Sequence, residues 1–136
     1  MEAYGFIHMK LLLVEDDVQS AELVIRLFKS LGYDVVHTIQ GLEGLRLART
    51  EAFDAILLDF NLPDIDGSQI CLVLRGQLKN VPIIAMTAQC DSVTRHKAKL
   101  FGFTAFVAKP WNIMELVSVV QRFTECAPTQ NIKRVM

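Results

Sequence analysis

No stretch of this 136-residue chain is apolar over anything close to the ~20 positions that a membrane-spanning helix requires. Basic surplus is also missing: 14 Lys and Arg stand against 15 Asp and Glu, a formal net charge of −1. Without such a surplus or a block of like charge, nothing points to nucleic acid or to a membrane surface as a partner. Cysteine is scarce and unpatterned. Cys71, Cys90 and Cys126 are odd in number and widely spaced, which excludes a disulfide framework or a zinc site and leaves free thiols. Cys90, three residues past Thr87, is the one thiol placed to sense oxidation near the site described below. The first residues, Met1 to His8, lack the basic start and apolar stretch of a signal peptide, so the cytoplasm is the expected compartment. Only four prolines interrupt a chain that is half hydrophobic, which excludes disorder and allows a real core. There is no internal repeat.

What is present is alternation. Strand-like apolar runs near 10–14, 34–38, 55–59, 82–87 and 104–108 alternate with helix-like segments near 18–31, 41–50, after Asp66-Gly67, 92–101 and 112–124. Most of the runs have no period of two, as expected of strands covered on both faces. His37 makes the second more polar, which suits an edge. Short loops joining alternating strands and helices predict a doubly wound five-stranded parallel α/β sheet. In the first helix Ala21, Val24, Ile25, Phe28 and Leu31 form the inner stripe, with Asp17 as cap and Gly32 as stop. In the second, Leu42, Leu45 and Ala48 are the expected inner face, and Gly44 should weaken it by ~1 kcal/mol. The expected organisation is residues 1–9 as an N-terminal extension, native or vector-derived, 10–124 as the domain, and 125–136 as a tail or shortened linker.

The tips of these strands carry chemistry. Leu11–Val14 ends in Glu15-Asp16-Asp17, Ala55–Leu58 in Asp59, Val81–Met86 in Thr87, and Ala105–Ala108 in Lys109-Pro110. Open parallel sheets bind ligands outside the carboxyl ends of their strands. Two unit charges about 4 Å apart repel by roughly 1–4 kcal/mol, depending on the dielectric. Glu15, Asp16 and Asp59 together must therefore hold protons or a cation. Oxygen ligands without thiol or imidazole favour Mg2+, with Mn2+ as an alternative. The backbone carbonyl of Asn61 is a further candidate ligand. Helix capping accounts for one acid of the Glu15–Asp17 run but not for three followed by Asp59.

Lys109 reads either as a solvated strand end or as a point charge facing the acids and a phosphate. Thr87 reads as a β-branched strand residue or as a hydroxyl donor to a phosphoryl oxygen. Ala88 and Gly67 are small enough to leave room for a ligand, and Pro110 is a candidate for a cis peptide bond.

The stretches Leu12–Asp17, Ile56–Gly67, Val81–Ala88 and Phe106–Pro110, in this order and spacing, resemble the receiver domains of bacterial two-component response regulators, over about residues 10–124. That resemblance implies the flavodoxin-like (βα)5 fold with strand order 2-1-3-4-5. It implies a phosphorylation-dependent switch. Asp59 would accept a phosphoryl group from the phosphohistidine of a sensor histidine kinase or phosphotransfer protein. Mg2+ would be held by Asp16, Asp59 and the Asn61 carbonyl, and by Glu15 through water. Lys109 and Thr87 would bind the phosphoryl group, and Asn61 and Gln89 would tune its lifetime. The face made by the fourth helix, fifth strand and fifth helix would control a downstream partner or output domain. The chain would not be an enzyme beyond its own phosphorylation and slow dephosphorylation.

Two positions depart from the family pattern. Phe106 stands where the switch aromatic is commonly tyrosine, so apolar burial alone would drive its rotation, with graded coupling. No acid lies in Phe101–Ala105, so the salt-bridged dimer of the winged-helix branch is not expected, while a different phosphorylation-dependent dimer stays open. An alternative is a Mg2+-dependent aspartyl-phosphate hydrolase of the dehalogenase type, but its nucleophile follows the first strand in an Asp-x-Asp pair. A flavin mononucleotide carrier would need a phosphate cradle where Glu15-Asp16-Asp17 stands.

Overall fold

The computed structural model describes residues 8–89, 91–109 and 112–124. The expectations for Cys90, Pro110, the first seven residues and the stretch after Thr124 therefore lie outside the described residues. Five parallel strands, β1 (Met9–Val14), β2 (Tyr33–Thr38), β3 (Ala55–Asp59), β4 (Ile83–Thr87) and β5 (Ala105–Ala108), stand in the order β2-β1-β3-β4-β5. Between and after them run α1 (Val18–Ser30), α2 (Gly41–Thr50), α3 (Gly67–Arg75), α4 (Ser92–Leu100) and α5 (Ile113–Thr124). The expected strand order and the edge position of β2 both hold. Among the described residues no helix is long and apolar enough to cross a membrane.

Side-chain alternation splits the sheet into two apolar layers. Leu11, Leu13, Leu57, Ile84, Met86 and Val107 face α1 and α5, meeting Val24, Phe28, Leu116 and Val120. Leu12, Val14, Ile56, Leu58, Ile83 and Ala85 face the other way, meeting Leu47, Ile70, Leu74, Ala98 and Phe103. Every residue of β3 and β4 is buried, which is why these runs show no period of two. Phe28 packs edge-on to Tyr33, with ring centroids 5.2 Å apart.

Several local expectations need correction. Leu42 is 56% exposed and does not belong to the inner face of α2, which is Gly44, Leu47 and Ala48, with Leu45 half-buried. The cause is Gly44: a Cβ there would stand 2.7 Å from Val14 Cγ2, so the bare backbone of the helix lies on β1 and rotates Leu42 outward. Asp17 precedes α1, but its carboxylate takes the Ser20 hydroxyl (2.5 Å) and not a backbone N–H. β5 begins at Ala105, one residue later than expected; Thr104 just before it still meets Ile83 of β4, through its N–H on the Ile83 carbonyl (2.7 Å) and through its hydroxyl, which accepts the Ile83 N–H (3.1 Å). Gly32 and Gly102 follow α1 and α4 with φ of +93° and +99°, the left-handed turn that stops a helix. Phe103 is buried against Phe60, and Phe101 is half-buried.

Candidate functional site

Parallel pairing of β1 with β3 and of β3 with β4 places the three strand tips side by side at one edge of the sheet. Glu15 follows β1. Its N–H donates to the Thr38 carbonyl (3.1 Å), and its own carbonyl accepts from His37 Nε2 (2.8 Å), so two bonds from β2 hold it in place. Its side chain turns inward and has no solvent exposure. One carboxylate oxygen accepts the Asp17 N–H at 3.0 Å, and the other lies 2.5 Å from Lys109 Nζ.

Asp59, the last residue of β3, is buried. Lys109 Nζ donates to one of its oxygens at 2.8 Å and the Asn61 N–H to the other at 3.0 Å. Asp16 is exposed, yet Glu15, Asp16 and Asp59 each bring an oxygen within 4.8 Å of the others. Lys109 arrives from the end of β5, whose tip is bound to β4 by the Lys109 N–H on the Thr87 carbonyl (2.7 Å). Thr87 is buried at the end of β4, and its hydroxyl oxygen accepts the Gln89 N–H at 3.1 Å. Asn61, Ala88 and Gln89 are exposed at the rim.

Electrostatics follow from this geometry. Burial pushes the Glu15 carboxyl up to about 7; Lys109 and the Asp17 N–H oppose the rise, and the charge of Asp59 adds to it. Burial pulls the Lys109 ammonium down, but the hydrogen bonds and charges of Asp59 and Glu15 outweigh it, so its pKa is held above the ordinary lysine value. The Lys109 ammonium pairs with two of the three converging carboxylates, Glu15 and Asp59. The surplus of buried or converging oxygen ligands, with no sulfur or imidazole among them, fits a hard divalent cation such as Mg2+.

Gly67 has a different role from the ligand clearance expected of it. A Cβ there would strike the Asp59 carbonyl oxygen and stand 3.0 Å from Phe60 Cα, so the glycine lets the start of α3 rest on the peptide that carries Asp59. Phe106 is half-buried, opposite Ala85 on the face of the sheet that also carries Thr87. The Arg95 guanidinium of α4 sits 5.4 Å from its ring centroid, a cation–π contact not foreseen from the sequence. A second contact also had no sequence signal. The Asp64 carboxylate accepts the Gly41 and Leu42 N–H groups in the first turn of α2.

A family profile described as the response regulator receiver domain matches residues 11–121. The probable transcriptional regulatory protein SilR of Salmonella typhimurium is 34% identical over 113 residues, 83% of this chain and 50% of that protein. The chain spans about half the length of the curated relatives it matches, such as this one. Among solved structures, the chemotaxis response regulator CheY4 of Vibrio cholerae aligns with a TM-score of 0.82 at 28% identity, over 86% of this chain and 99% of that one. The receiver domain of the sensor histidine kinase PA1611 from Pseudomonas aeruginosa aligns with a TM-score of 0.80 at 33% identity, over 88% and 99% of the two chains. That structure has a magnesium ion coordinated in the active site cleft.

Proposed function

The chain belongs to the response regulator receiver family, and on that premise we propose that Asp59 is its phosphoacceptor. A receiver domain is a phosphorylation-dependent switch of two-component signalling, a signalling module and not a classical enzyme. The dehalogenase-type alternative gains no support: the acceptor acid lies on β3, and the matched family is a signalling one.

The observation that carries the reading is the Asp59 carboxylate, buried and held between Lys109 Nζ and the Asn61 N–H, with oxygens of Glu15 and Asp16 within 4.8 Å. An Asp59 oxygen attacks the phosphorus of a phosphohistidine on a histidine kinase or phosphotransfer protein. A P–O bond forms, the P–N bond breaks, and the imidazole leaves as the neutral ring after taking up a proton. Asp16, Asp59 and the Asn61 carbonyl would hold Mg2+, with Glu15 contributing through water, and the bound ion would supply charge neutralisation for the transferred group. Lys109 moves from pairing carboxylates to pairing the phosphoryl oxygens, and the Thr87 hydroxyl donates to them. Asn61 and Gln89 flank the group and set how readily water reaches it.

Downstream, output passes through the α4–β5–α5 face, where Phe106 lies under the Arg95 guanidinium on the face of the sheet that also carries Thr87. A partner or output domain docks there, and any phosphorylation-dependent dimer forms without the acidic pair missing from Phe101–Ala105. Residues 10–124 act as the receiver unit.

Titrating the protein with Mg2+ and then acetyl phosphate, followed by intact mass, tests the assignment. The wild type should gain one phosphoryl adduct that depends on Mg2+, and Asp59→Asn none. Equal adducts in both would remove Asp59 from the role.

A further inference from the structure

α2 begins at Gly41 without help from its own N-cap residue, since Gln40 offers no side-chain bond to it. The first backbone N–H groups of a helix need an acceptor, and negative charge is favoured there. Asp64, 23 residues further along the chain, supplies both. One oxygen accepts the Gly41 N–H at 2.8 Å and the other the Leu42 N–H at 2.9 Å. These two bonds hold the carboxyl below its usual range. The fit needs glycine on the other side: a Cβ on Gly41 would stand 2.6 Å from Ile65 Cγ2 and 2.8 Å from Ile70 Cδ1.

This cap closes a ring around the acidic corner. The tip of β1 is tied to the tip of β2 through Glu15 and Thr38, and β2 runs within three residues into α2. From α2 the link passes through Asp64 to the loop of residues 60–66. That loop returns to β3 through the Asn61 N–H on Asp59 and the Gly67 N–H on the Phe60 carbonyl (2.9 Å). Asn61 lies between the two anchored points, Asp59 and Asp64.

We propose that Asp64 is a positioning residue for the cation: by capping α2 from the loop, it fixes where the Asn61 carbonyl points, and Mg2+ affinity depends on it although it is not a ligand. This rests on the reading that Asn61 and the two aspartates hold Mg2+. Loss of a helix cap shifts an equilibrium by about two- to thirtyfold, and part of that shift passes to the cation.

Calorimetric Mg2+ titration of the folded protein, well below its melting temperature, tests this. Asp64→Ala should weaken Mg2+ binding by roughly three- to tenfold, a share of the cap's worth. Asp64→Asn, which keeps one acceptor, should fall between Asp64→Ala and wild type. Asp66→Asn is the charge control, because Asp66 precedes α3 without a side-chain bond to it; it should change the affinity less. Amide exchange should speed up at Gly41 and Leu42 in Asp64→Ala, showing that the cap is gone. Unchanged affinity with the cap gone overturns the proposal, and so does equal weakening by Asp66→Asn, which would reduce it to bulk charge. A wild type that ignores Mg2+, or is indifferent to Asp16→Asn, refutes the underlying site reading instead.

Discussion

A carboxyl with no access to solvent carries its charge at a cost, and Glu15 is placed where that cost is largest. Its folded pKa of about 7 lies above the ordinary 4.5. Between those values the folded protein keeps a proton that the unfolded chain has released, so stability present at low pH is lost as pH rises through this window. Lys109 acts in a different range: its raised value adds stability throughout this window, lost only as pH rises beyond the ordinary lysine value of 10.5. In the metal-free protein, wild type should therefore lose about 1–3 kcal/mol between pH 5 and pH 8. Glu15→Gln should flatten that slope and exceed wild type at pH 8. Urea melts at both pH values in the presence of a chelator measure this, and parallel curves for the two proteins would contradict it.

Elements are held to one another by a few side chains that reach across loops. Arg75, in the last turn of α3, donates to the Gly102 carbonyl (2.7 Å), the Leu78 and Val81 carbonyls (2.9 and 2.7 Å) and the Thr104 hydroxyl (2.9 Å). One guanidinium thus joins the α3–β4 connection to the turn after α4. Gly102 fits beneath it, since a Cβ there would stand 2.7 Å from Arg75 Cγ. Arg75→Met leaves these acceptors to whatever water reaches them and should cost about 2–3 kcal/mol in a denaturant melt. Arg75→Lys should recover only part of the loss, because an ammonium lacks the planar fork that spans several acceptors. A melt of Arg75→Met that overlays wild type would show that the tie carries no weight.

For the whole molecule, the acidic corner is a concentration of like charge that, on the proposed reading, a bound cation would relieve. A ligand that binds only the folded state stabilises it by about 2.7 kcal/mol at 100 times its dissociation constant. For a domain of this length that corresponds to a rise in melting temperature on the order of 10 °C. Thermal melts in saturating Mg2+ should show this rise in wild type and a much smaller one in Asp16→Asn. An equal rise in both would place the stabilising ion elsewhere. The layered fold and most of this corner were legible before any coordinates. Apolar runs with a charged or hydroxyl residue at each end are contiguous in the chain, and the sheet brings such ends together wherever the strands run parallel. Two readings failed at close approaches. Leu42 was assigned to the core of α2, and Gly67 to ligand clearance, because a pattern of apolar and small residues does not show which backbone another backbone must touch.

Asp59, Glu15, Asp16, Thr87 and Lys109 could be picked out by chain position because each closes an apolar run or lies within two residues of its end, and that relation is written in neighbouring letters. The Asp64 cap on α2, the Arg75 tie to Gly102 and the Arg95 contact with Phe106 have no such signature. Their partners lie 23, 27 and 11 positions away, at distances set by how helices settle on the sheet, and neither periodicity nor composition encodes that settling.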